Sequence, residues 1–215
     1  MSSHPPDTTD SMSLLSCGPT PTGTAKVSAT APKLSYLRAM TALVDRLASY
    51  AEYHRDRRNI ATHFVGIPMI LVGSQAALAR IGIGPLNLAV GANWLAARYY
   101  RALDPTYGTA MSALLGATCA IGTALAAMPL PVWAGTTAGL FVGGWMLQLL
   151  GHRFEGNKPA FLDDVRGLLD GPLFLLAEVA FALGLSPDLR AEIERRAGPT
   201  RWGAAPAGDL AASAA

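Results

Sequence analysis

"YHRDRRNIATHFVGIPMILVG", Tyr53 to Gly73, sets four charged residues, an asparagine and two histidines directly against an apolar run. Polar chemistry pressed against an apolar segment is what the mouth of a membrane span looks like. Only four histidines occur in the whole chain, so two at one such boundary call for an explanation.

The rest of the chain agrees with a membrane setting. Charged residues make up 15% of the 215 and mean hydropathy is +0.29, whereas soluble domains carry about 25% charge. The apolar residues cluster into runs at Phe64–Ala79, Ile83–Ala97, Thr109–Met128, Val132–Leu150 and Gly171–Leu185. A span needs about 20 residues, so the third and fourth runs fit outright. The first and second need their flanks, and the fifth, which contains Glu178, reads as interfacial or re-entrant. Before the first run, Leu37, Met40, Leu43, Val44 and Leu47 recur at helical spacing, followed by Tyr50 and Tyr53, which predicts an amphipathic helix over residues 33–62. The fold class expected is therefore all-α: an integral membrane helical bundle of about four transmembrane helices, with an N-terminal amphipathic helix and a C-terminal interfacial or re-entrant one.

Residues 1–32 and 203–215 read as disordered tails around a helical membrane domain at 33–202. The first tail has no basic segment followed by an apolar one, so it does not read as a signal peptide. A net charge of +2 without a dense basic run argues against nucleic acid. Cys17 and Cys119 are expected to be free thiols. Gly135, Gly139 and Gly143 form a small-residue stripe that fits close helix packing, and a homo-oligomer is compatible with the sequence.

Basic residues set orientation. Arg55, Arg57 and Arg58 precede the first run, Arg98 and Arg101 follow the second, and Arg153, Lys158 and Arg166 follow the fourth. Four spans with both ends in the cytoplasm satisfy this pattern. His54, His63 and His152 then reach the same, cytoplasmic, face. The high Ala, Gly and Arg usage points to a GC-rich bacterial source, hence a bacterial inner membrane; a eukaryotic copy would sit in the endoplasmic reticulum.

Neutral imidazoles bind metals, and three at one depth can supply an iron site with open positions. The spacing sets a condition. His54 and His63 are nine residues apart, on opposite faces of one straight helix at about 100° per residue. They can share a metal only if the chain breaks between them. His152 and Glu155 are three apart and share a helical face, with Gly156 and Pro159 ending that helix. Glu155 suits a ligand, or a group hydrogen-bonded to a ligand histidine; pairing with Arg153 or Lys158 is the plainer reading.

At these residues the chain resembles the yeast-type 2-hydroxy fatty acid dioxygenases, the family named for metabolism of phytosphingosine to odd-numbered fatty acids. "YAEYHRDRRNIATHFVGIP" carries a Tyr-x3-His-x4-Asn-x3-His-x4-Pro pattern at Tyr50, His54, Asn59, His63 and Pro68. "WMLQLLGHRFEGNKPAF" carries Trp145, Gln148, Gly151, His152, Phe154, Glu155, Pro159 and Ala160, and a third segment carries Pro172, Phe174 and Glu178. Family relatives have one more residue between the His and Glu of the second block, an offset that still leaves the pair on one face. The resemblance covers roughly residues 35–186. It implies a membrane enzyme that uses Fe(2+) and O2 to convert a 2-hydroxy fatty acid into CO2 and the fatty acid one carbon shorter. His54, His63 and His152 would be the metal ligands, and Glu155 and Asn59 would act in catalysis. Arg58, Arg153, Tyr53 and Gln148 would contact the substrate, the arginines because guanidinium suits a carboxylate. A non-enzymatic four-span protein that binds or moves a lipid is the alternative. Desaturase-like hydroxylases need more histidines than this chain offers.

Overall fold

A computed structural model describes residues 31–83 and 86–203, with side chains from Thr41 onward. The expected tails fall almost wholly outside the described residues, as does Cys17. The described chain is helical: α1 (Ala31–Glu52), α2 (Arg57–Ala79), α3 (Leu88–Leu103), α4 (Pro105–Ala126), α5 (Leu130–Glu155), α6 (Gly167–Ala182) and α7 (Pro187–Ala197). A two-residue hairpin, β1 (Gly82–Ile83) and β2 (Leu86–Asn87), joins α2 to α3.

α2 to α5 run up, down, up and down. Gly144 packs on the backbone of Gly66 and Ile70, Gly73 on Thr137 and Phe141, and the Trp133 indole donates to Ala76 O at 2.9 Å. α5 therefore lies antiparallel to α2. Gly108 packs on Arg101 while Asn93 donates to Leu115 O, which makes α3 and α4 antiparallel too. All four helices thus share one end, where α2 and α4 begin and α3 and α5 finish. There α1, α6 and α7 pack across the bundle. Leu43, Leu47, Tyr100, Met111, Leu173 and Phe174 form its dry core, each 2% exposed or less.

Among the described residues, three helices are long and apolar enough to cross a membrane: α2, α4 and α5. α6 and α7, bent by 120° at their junction, would together make a fourth. This is an all-α membrane bundle. The second apolar run departs from expectation. Its first residues form the hairpin, Asn87 caps the helix by accepting from Val90 N, and α3 keeps 16 residues. That is about 24 Å of helix, short of a hydrocarbon core of about 30 Å.

Two other expectations are corrected. The amphipathic helix ends at Glu52 rather than residue 62, because Asp56 caps a new helix, its carboxylate accepting from Arg58 N at 2.9 Å. The glycine stripe on α5 meets α2 only at Gly143, beside the Met69 side chain. Nothing lies within 4 Å of where a Cβ would stand on Gly135 or Gly139, whereas Gly144 and Gly151 press on α2.

Candidate metal centre

The condition set by the histidine spacing is met at Tyr53–Asp56. After α1 the chain leaves the helix for four residues, so His54 and His63 need not follow one helical screw. His54 sits in this break, His63 two turns into α2, and His152 in the last turn of α5. The antiparallel α2–α5 pair brings the three together. Their candidate ligand nitrogens lie within 4.8 Å of one another, and all three side chains are buried.

The hydrogen bonds define the tautomers. His54 Nδ1 lies 2.7 Å from Tyr50 O and His63 Nδ1 lies 2.9 Å from Asn59 O. Neutral imidazole has one N–H, so each Nδ1 donates to its carbonyl and each Nε2 presents a lone pair. Those two Nε2 atoms face each other at 3.1 Å. Protonation is a poor remedy for the repulsion. Burial, with His63 close by, holds His54 well below the usual imidazole range. A cation between the nitrogens relieves it. The 3.1 Å separation is within the span of two metal–nitrogen bonds of about 2.0–2.1 Å each. His152 Nδ1 is also buried without a hydrogen-bond partner among the described residues. The donor set fits a metal ion.

Glu155 is outside this triad. Oε1 accepts from Arg55 N (3.1 Å) and Arg201 Nη2 (3.0 Å); Oε2 accepts from Asp56 N (2.7 Å) and Asn59 Nδ2 (3.1 Å). Its carboxylate thereby fastens the break that holds His54. Asn59 adds a link, since its own carbonyl holds His63. Gly151 completes the fit: a methyl there would meet Thr62 Oγ1, Asn59 Oδ1 and His63 Nδ1.

Beside the histidines opens a pocket of about 490 Å³, space open to solvent included. His63, His152 and Gln148 line its polar side; Ile67, Ile70, Trp145, Phe161 and Leu168 line the rest. Gln148 is buried and its Nε2 has no partner among the described residues. The other residues expected at the substrate lie elsewhere. Arg58 is held by Asp56 at 2.7 Å and lies over the Phe154 ring, Arg153 is exposed, and the Tyr53 hydroxyl donates to Asp163 at 2.8 Å. Sequence reasoning did not single out as site residues Tyr50, whose ring stacks on His54 at 4.0 Å, or Arg201. Tyr50 stood four residues before His54 in the quoted motif. Nothing in the sequence around Arg201 marks it.

Fold and site define a class: helical membrane proteins with a buried histidine triad able to hold a metal. The chain belongs to the 2-hydroxy-palmitic acid dioxygenase Mpo1-like family, whose sequence model matches residues 40–183. It is 30% identical over 155 residues to the 2-hydroxy-palmitic acid dioxygenase MPO1 of Saccharomyces cerevisiae, covering 71% of this chain and 87% of the yeast protein. No solved structure matches it.

Proposed function

We propose that this protein is an Fe(2+)-dependent dioxygenase that converts a 2-hydroxy fatty acid and O2 into CO2, water and the fatty acid one carbon shorter. The observation that carries this reading is the histidine triad set against an apolar pocket within a membrane bundle. The stoichiometry balances without another reductant. The C1–C2 bond breaks, C1 leaves as CO2 and C2 becomes a carboxyl carbon. The substrate gives up four electrons, which O2 accepts. Bound iron would anchor the substrate's carboxylate and hydroxyl and leave a position for O2. His54, His63 and His152 hold the ion, with the Tyr50 and Asn59 carbonyls orienting two of the rings. Gln148 Nε2, a buried donor without a partner in the described chain, is placed to bond the substrate's polar head. Ile67, Ile70, Trp145 and Leu168 keep the first stretch of alkyl chain from water. Glu155 and Asn59 act by holding the break in place. Arg58 and Arg153, outside the pocket, serve the membrane surface. The histidine end faces the cytoplasm, where the arginines gather.

Purification in detergent without chelator, followed by elemental analysis, tests the metal. Near-stoichiometric iron in the wild type, lost in H63A and H152A, is expected. Incubation with 2-hydroxypalmitate should then consume O2 and yield pentadecanoate. Absence of metal from a folded, iron-supplemented sample would leave the lipid-binding reading instead.

A further inference from the structure

Beyond α7 the chain folds back onto the junction between α1 and α2. Arg201 N donates to Arg55 O at 2.8 Å, and Arg57 N donates to Arg201 O at 2.9 Å. The Arg55 guanidinium donates to Gly198 O at 2.9 Å, and Arg57 lies over the Trp202 ring. This strap lies outside residues 40–183, the stretch that defines the family match. Its one ionic contact with the site is Arg201 Nη2 on Glu155 Oε1, 3.0 Å, onto a carboxylate whose side chain is 2% exposed.

We infer that Arg201 is a positioning residue for the metal centre, acting through Glu155. The inference rests on the proposed metal site. Glu155 touches the support of every histidine. It sits three residues after His152 on α5, it binds the peptide N–H groups that follow His54, and it binds the Asn59 side chain, whose backbone carbonyl holds His63. Among the described residues, three of its four donors are neutral, and Arg201 is the sole cation hydrogen-bonded to it. Arg55 bonds the carbonyls of Ala51, His54 and Gly198 through its guanidinium and attracts Glu155 without a side-chain hydrogen bond to it, and Arg58 pairs with Asp56. Removing one partner of a buried ion pair is strongly destabilising. If Glu155 swings out, an acceptor is lost from the Arg55–Asp56 peptides, and His54 loses its register with His63 and His152.

The test is a Co(II) titration of the full-length protein in detergent, followed by visible absorption, with metal-free melting measured alongside. Outer-sphere partners of metal ligands are worth about 10–100-fold in affinity. R201M is expected to weaken Co(II) binding by at least about tenfold and alter the ligand-field spectrum, and R201K to restore most of both. R201Q, which keeps a donor without the charge, gives the same reading should R201M fail to fold. Unchanged affinity and spectrum in the folded variants, even with a lower melting point, overturn the inference and leave the metal site standing. A wild type that binds neither Co(II) nor Fe(II) overturns both.

Discussion

α5 passes through two environments. At its last turn Gly151, His152 and Glu155 are buried, and the chain around them satisfies a carboxylate with four donors. At its start Leu130 and Val132 are exposed, as are Ile83 and Leu86 of the neighbouring hairpin. The distal end leaves its apolar side chains for lipid to cover and uses few polar contacts, such as Gln75 to Asn93 at 3.1 Å. The histidine end is covered by protein, through α1, α6 and α7. One end is held by its solvent and the other by its own side chains. Substitutions at the histidine end should therefore cost far more.

The sharpest test of that contrast is Glu155→Ala. It should destabilise the protein by about 3 kcal/mol, the lower edge for breaking a buried ion pair because Arg201 is partly exposed, and should abolish metal binding. Denaturation in mixed micelles measures the first and elemental analysis the second. Next, two glycines on the same helix should separate the ends. Gly151→Ala drives a methyl into Asn59 and His63 and should cost about 1–3 kcal/mol. Gly139→Ala meets open space and should be neutral or stabilising by up to about 1 kcal/mol. Equal losses at the two glycines would break the comparison. Gln75→Ala, at the distal end, should cost about 0.6 kcal/mol, the usual size of a polar contact between membrane helices.

The smallest effect is electrostatic. Lys158 first, and the Tyr53 hydroxyl second, hold the exposed Asp163 carboxyl below the usual range. A depressed folded pKa makes this contribution complete above the unfolded value of about 3.9, and it is lost as pH falls through the folded one. The segment Gly156–Arg166 beside the pocket should resist proteolysis equally at pH 7 and pH 5. Cleavage by an acid protease below about pH 4 should exceed that at pH 5, with D163N showing a smaller rise.

How much of this was legible follows from range. The apolar runs, the helix end at Gly156 and the three histidines are local or periodic features, and they were read directly. The break before α2 was not. "HRDRRN" looks like the polar face of a continuing helix, and Asp56 acts as a cap only because Glu155, far along the chain, takes up the peptide N–H groups that the break exposes. The second apolar run was overread because hydropathy does not register a hairpin inside it. The stripe at Gly135 and Gly139 was misread because four-residue spacing defines a face without saying what lies opposite. Arg201 was invisible, since its meaning lies in a carboxylate 46 residues away.

That distance bears on timing. The triad joins a residue before the first membrane helix to one at the end of α5, and its supporting carboxylate meets a residue near the end of the described chain. Contacts so far apart in sequence form late. A nascent chain halted after α2 offers two histidines and no third, and one halted after α5 lacks the strap. On the proposed reading, the triad can capture a metal only once α5 has been made, and holds it at full strength only after the strap has docked.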